Sequence, residues 1–294
     1  MITPKPDKMA EQGVFSWAEL LLRRQGKRPL IAGIVNATPD SFSDGKGRID
    51  PAERINFALQ LLTEGADIID LGAESTRPGA AEVPPDEEWA RLEKVLEGIL
   101  KAAPHAIISI DTRHAATAEK ALQTGAKIVN DVSGLEFDPA MAEVIARYRA
   151  GSILTHSAGI PEVMQQTGTV IACNTLEVVK NGLRNILQNA YLQKITPQQI
   201  MLDAGIGFGK SRAGNYELLH NAGSLEKLFA LPFCWGVSRK SLLKSDPDTM
   251  AKRIAGSLAL AVKLAEQGVS LLRVHDVAMT IAALDAAAGM ECQL

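Results

Sequence analysis

The sequence predicts an α/β fold, a (β/α)8 barrel built as one domain, and three observations carry that expectation. Eight short β-branched runs recur from Pro29 onward, and they are nearly continuously apolar rather than alternating. Parallel strands covered on both faces have that pattern. Longer stretches of helical periodicity separate them, several with their own start and stop residues. The chain's 294 residues also suit a barrel of this kind, which typically takes about 250.

The strand candidates, in order, are 30–36, 66–72, 106–112, 127–132, 152–157, 200–205, 233–238 and 270–276. Asp50–Pro51 opens the first intervening helix as N-cap and first-turn proline, and Gly65 closes it. Asp138–Pro139 opens another, with Gly151 following, and Asp248 precedes a long one ending at Gly268. Right-handed helical crossovers between parallel strands let eight such units close on themselves. A doubly wound open sheet is the alternative, but a first and last strand of similar character favour closure. Residues 1–28 form an N-terminal extension whose amphipathic piece SWAELLLRRQ suits a plug at the barrel's bottom. The barrel takes 29–289, and 290–294 form a tail.

Composition is that of a soluble globular chain, 46% hydrophobic and 22% charged, with 24 Gly and 14 Pro. Net charge is −3, so nothing draws the whole surface toward nucleic acid or anionic membranes. Any anion site must be local. The first residues lack the apolar core of a signal peptide, and no charge-free apolar stretch reaches the roughly 18 residues of a membrane span. Cys173, Cys234 and Cys292 are an odd, scattered set without metal-ligand spacing, which points to a reducing, cytoplasmic compartment.

Barrel active sites form where strands end. Those ends carry Asn36, Glu74, Asp111, Asn130 with Asp131, His156, Asp203, the Ser238–Ser241 run, and Arg273 with His275. A ring of carboxylates, amides and bases suits a small polar substrate. Asp and Asn can read the donor-rich edge of a heterocycle. Arg77, Arg239 with Lys240, and Arg273 with His275 are separated basic sites able to clamp a phosphate or diphosphate. GIGFGK (205–210) looks like a phosphate loop but lacks the full spacing. Neither a zinc pattern nor a nucleophile with its base stands out.

In this order and spacing, GIVNATPDSFSDG (33–45), GADIIDLGAESTRPGAAEV (65–83), SIDT (109–112), IVNDVSGL (128–135), LDAGIGFGK (202–210), GVSRKS (236–241) and RVHDV (273–277) are highly specific. Across about residues 29–289 the chain resembles the dihydropteroate synthases, pterin-binding barrels of folate biosynthesis. The resemblance implies condensation of 6-hydroxymethyl-7,8-dihydropterin diphosphate with p-aminobenzoate, by a dissociative substitution that releases pyrophosphate. It implies that Asp111, Asn130, Asp203 and Lys240 hold the pterin. Asn36, Thr76, Arg77, Arg273 and His275 would bind the diphosphate, and Asn36 would meet a Mg2+ cofactor. Phe42, Pro78, Ser238 and Ser241 would form the aminobenzoate slot, with Asp44 facing the reacting carbon. Asp44, Arg77, Lys240, Arg273 and His275 make up the implied catalytic set. A homodimer through helices outside the barrel is implied too.

The chain departs from the family pattern at Lys46, at Ala204, at Thr155-His156-Ser157 and in TGTVIACNTLE (167–177). These bear on the wall around the pterin and on sulfonamide sensitivity. A methyltetrahydrofolate:corrinoid methyltransferase would share the Asp/Asn pterin reading but has no use for TPDSFSDG, ESTRPGA and SRKS. A catalytically silent pterin-binding homologue is the reading outside enzymology.

Overall fold

A computed structural model describes residues 13–22, 28–38, 50–74, 82–159, 170–171, 173–244 and 247–291. Eight parallel strands close a barrel in sequence order: β1 Leu30–Asn36, β2 Ile68–Gly72, β3 Ile108–Asp111, β4 Ile128–Asp131, β5 Gly151–Thr155, β6 Ile200–Asp203, β7 Phe233–Gly236 and β8 Leu271–Val274. The ring is shut by pairing of β1 with β8, Leu30 against Leu271. Most strands are shorter than expected, by one or two residues at one or both ends.

Helices cover the outside: α2 Pro51–Thr63, α3 Pro85–Ala102, α4 Ala115–Thr124, α5 Met141–Tyr148, α6 Thr175–Leu192, α7 Arg212–His220, α8 Ala222–Phe229, α9 Met250–Glu266 and α10 Val277–Glu291. Asp50 caps α2, its carboxylate accepting from the Ala52 N–H at 2.9 Å. Three sequence-derived marks are corrected. Helix α5 starts two residues beyond Pro139, at Met141, after a turn in which Asp138 accepts from the Ala140 N–H, and its other carboxylate oxygen accepts from Ala115. Arg149 makes the left-handed turn after α5 (φ 51°), and Gly151 already opens β5. Thr249, rather than Asp248, caps α9; Asp248 pairs with Arg253.

Inward-facing side chains alternate along each strand with those facing the helices. The lowest inward layer is apolar and includes Leu30, Ile68, Ile128, Ile153, Met201, Cys234 and Leu271. Helix α1 (Trp17–Leu22) packs Trp17 and Leu20 against this layer. The Trp17 indole N–H lies 3.0 Å from the Gln199 carbonyl and 3.2 Å from that of Ser152. Two residues further along five of these strands, the inward positions turn polar: Asp70, Asn130, Thr155, Asp203 and Arg273. One end is thus closed by hydrocarbon, and the C-terminal end opens onto charge.

Candidate active site

Arg273 occupies the centre of the barrel mouth. Its Nε donates to Asp70 at 2.5 Å, and its Nη2 donates to Asp111 at 2.6 Å. Burial works against the guanidinium charge, but Asp70 and Asp111 more than offset it and hold the group firmly protonated. Asn130 donates its side-chain amide to the same Asp70, at 3.2 and 3.4 Å. Because that NH2 is committed to a carboxylate, the amide oxygen is left as the acceptor for a ligand.

Asp111 keeps Oδ1 buried and without a hydrogen-bond partner. Burial raises its pKa to about 7. Arg273 opposes the rise, while Asp70, Glu88 and Glu74 add to it. Asp203 is also pushed up by burial, against the Gly205 N–H, which its Oδ1 accepts at 2.7 Å, and the charges of Lys240, Lys210 and Arg273. Lys240 donates to the Ile206 carbonyl at 2.8 Å and stands 4.5 Å from the centre of the Phe208 ring. Desolvation lowers its pKa to about 8, with Asp203 working the other way. Asp111, Asp203, Lys240 and Arg273 therefore share one low-dielectric space.

At the rim, His275 Nδ1 meets the Ser238 hydroxyl at 3.0 Å, and that hydroxyl also accepts the His275 backbone N–H. Burial, aided by Arg273 and Arg239, drops the imidazole to about 3, so it is neutral at pH 7. Ser238 is buried beside it, and Ser241 lies exposed at the start of a 3₁₀ turn, Ser241–Leu243. Asn36 ends β1 half-buried, next to Gly72 in register. Phe42, Asp44, Thr76, Arg77 and Pro78 lie outside the described residues.

Several residues that looked like mouth groups in the sequence serve the scaffold instead. Asp131 accepts from the N–H groups of Ser133 and Leu135 and from the Ser133 hydroxyl. Arg239 is tied to Asp276 by a bidentate pair through Nε and Nη2 along one edge of its guanidinium. Lys210 turns inward and donates to the carbonyls of His156, Gly205 and Phe208, at 2.9, 2.9 and 3.0 Å. GIGFGK is therefore a loop held together by its own lysine. Desolvation brings that lysine to about 7. His156 is wedged under α6, and burial lowers it to about 4.

Beside the mouth, Glu74, Glu88 and His114 bring ligand-type atoms within 4.8 Å of one another. Arg113, stacked over Phe137, engages both Glu74 oxygens at 2.9 and 3.2 Å. His114 is pushed up by its hydrogen bond to Glu88. Arg113 already occupies both Glu74 oxygens, which disfavours a divalent ion there. Asp70 is the central residue that inspection of strand ends missed, because it lies inside β2 rather than after it. The usable signal was period two: Asp70 follows Ile68 as Asn130 follows Ile128 and Arg273 follows Leu271.

Fold and site together define a barrel enzyme acting on a small polar heterocycle with an anionic group. Comparison with known proteins agrees: residues 32–275 match the family described as pterin binding enzyme. A dihydropteroate synthase from Neisseria meningitidis serogroup C is 42% identical over 268 residues, covering 88% of this chain and 92% of that protein. A probable bifunctional folylpolyglutamate synthase/dihydropteroate synthase from Haloferax volcanii is 38% identical over 259 residues, and the chain spans 30% of its length. The crystal structure of a dihydropteroate synthase from Clostridium difficile, in the presence of pteroic acid, superposes with a TM-score of 0.81 at 39% identity. It covers 90% of this chain and 97% of that one. The chain belongs to the dihydropteroate synthase family of pterin-binding enzymes.

Proposed function

We propose that this chain joins 6-hydroxymethyl-7,8-dihydropterin diphosphate to p-aminobenzoate, forming 7,8-dihydropteroate and pyrophosphate. One observation supports this most: the buried acceptors of Asp111, Asn130 and Asp203 stand at the barrel mouth within electrostatic reach of the cations Lys240 and Arg273. The acceptors suit the N–H-rich edge of a pterin, and the cations suit a departing diphosphate.

The chemistry asks little of a general base. The C–O bond to the diphosphate breaks and its electron pair leaves with the phosphate oxygen. The electron-rich dihydropterin spreads the positive charge left on the CH2, so the substitution is dissociative. The arylamine lone pair then forms the C–N bond, and its proton passes to solvent. The chain's part is to orient the two substrates and to stabilise the separating charges. Arg273 and His275 take the anion, with Arg77 and Thr76. An arriving diphosphate favours the protonated imidazole and so raises the pKa of His275 from its low resting value. Asp44 faces the cationic carbon, while Phe42, Pro78, Ser238 and Ser241 seat the aminobenzoate. The amide oxygen of Asn36 is a hard donor of the kind Mg2+ accepts alongside substrate phosphates. Mg2+ bound there would supply Lewis-acid neutralisation of the leaving group.

The test is Mg2+-dependent release of pyrophosphate with stoichiometric dihydropteroate, measured without cobalamin. Pterin binding with no pyrophosphate release would favour a silent homologue. Methyl transfer to a corrinoid would favour the other barrel enzyme.

We read the active form as a cytoplasmic homodimer. The exposed apolar side chains Tyr191 and Leu192 on α6, Leu228 on α8, and Met250 and Met279 on α9 and α10 support an interface on the barrel's outside. Cys173 and Cys234 are both free thiols, as a reducing compartment keeps them, and no described helix is long and apolar enough to cross a membrane. Sedimentation velocity giving twice the chain's mass checks the dimer, and a monomer would contradict it.

A further inference from the structure

We propose that Asp70 is the positioning residue that orients Asn130 and Arg273 for the pterin. This rests on the pterin reading above. Asp70 is 1% exposed and shares the first polar inward layer with Asn130, Asp203 and Arg273. Its two oxygens receive the Arg273 Nε at 2.5 Å and the Asn130 Nδ2 at 3.2 and 3.4 Å. A side-chain amide can offer a ligand either its oxygen or its NH2. A carboxylate accepts only, so Asp70 forces the NH2 downward and the oxygen toward the pocket. The same carboxylate fixes the near edge of the guanidinium, which leaves Nη2 to reach Asp111 at 2.6 Å. One buried anion therefore sets three of the groups that meet the substrate.

The geometry has an electrostatic consequence. The groups acting on Asp111 are Arg273 from β8, Asp70 from β2, Glu74 just beyond β2, and Glu88 from α3. Arg273 opposes the rise in the Asp111 pKa, and the three carboxylates increase it. Removing the charge of Asp70 takes away one repulsion and leaves Arg273 to Asp111 alone. The Asp111 carboxyl then ionises at lower pH.

The experiment titrates 6-hydroxymethylpterin calorimetrically into the wild-type chain and into Asp70→Asn across a pH series. Ser109→Ala serves as control, since Ser109 faces Asp70 in register and its buried hydroxyl has no partner. Asp70→Asn should weaken binding by about 10- to 100-fold, the worth of a charge-assisted hydrogen bond. It should also move the acid limb of binding to lower pH. Ser109→Ala should match wild type in both. A merely structural role for Asp70 would weaken binding without moving the limb. If Asp70→Asn does not fold, Asp70→Ser provides the same two readouts. Wild-type affinity and an unmoved acid limb in the Asp70 variant, with normal binding by the wild-type chain, would overturn the assignment alone. Absence of pterin binding by the wild-type chain would overturn the functional reading, and this assignment with it.

Discussion

At the scale of single residues, Arg273 shows how one side chain serves two ends. It pairs with Asp70 and Asp111 and stands where an anion would arrive. Arg273→Ala should therefore do more than weaken diphosphate binding. It leaves two buried carboxylates without their cation, a loss on the order of 3–5 kcal/mol for a broken buried pair. Denaturant unfolding should show that loss, and stability equal to wild type would contradict the pairing. Arg273→Lys keeps a charge but cannot bridge two carboxylates, and it should lose more affinity for the diphosphate substrate than for unphosphorylated pterin. Asp111 yields a pH prediction. Burial holds it near 7, and the ionised form accepts from a pterin N–H far more strongly than the neutral acid. Affinity should thus fall as pH drops below about 7, approaching tenfold per unit. Calorimetry that finds affinity flat or rising toward acid would refute this. In the sequence, Asp111, Asn130, Asp203, Arg273 and His275 were legible because each closes or follows an apolar run. The scaffold duties of Asp131, Lys210 and Arg239 were not, since they depend on carbonyls and carboxylates distant in the chain.

At the scale of elements, the helices were readable wherever a local cap marks them. Asp50–Pro51 before α2 is such a case. The cap of α9 is Thr249 because Asp248 spends its carboxylate on Arg253, while Asp138 holds the turn that leads into α5 and also the first N–H of α4. Contacts between elements leave fainter marks. Gly182 in α6 faces His156 at the end of β5, and a Cβ there would lie 2.1 Å from the imidazole Cδ2. His156 is buried and has little room to retreat. Gly182→Ala gains about 1 kcal/mol in helix propensity but meets an overpacking cost of about 1–3 kcal/mol. The clash should win and lower the melting temperature. A rise in melting temperature would show that the α6–β5 contact is looser than described.

At the scale of the whole molecule, the barrel divides labour along its axis. Trp17 and the lowest inward layer close one end with hydrocarbon, and Asp70, Asn130, Asp203 and Arg273 polarise the other. Barrel class followed from eight apolar runs and their spacing, because buried parallel strands leave a dense local signal. The interlocking of β2, β3, β4 and β8 around one arginine left none, since those residues are up to 203 positions apart. The central claim is that one mouth holds both a slot for a flat nitrogen heterocycle and the cations for its leaving group. A crystal structure of the chain with 6-hydroxymethyl-7,8-dihydropterin diphosphate tests it most directly. The account places the ring edge on Asp111, Asn130 and Asp203, with the phosphates reaching Arg273 and His275. Phosphates bound away from Arg273, or a ring seated outside the barrel mouth, would contradict it.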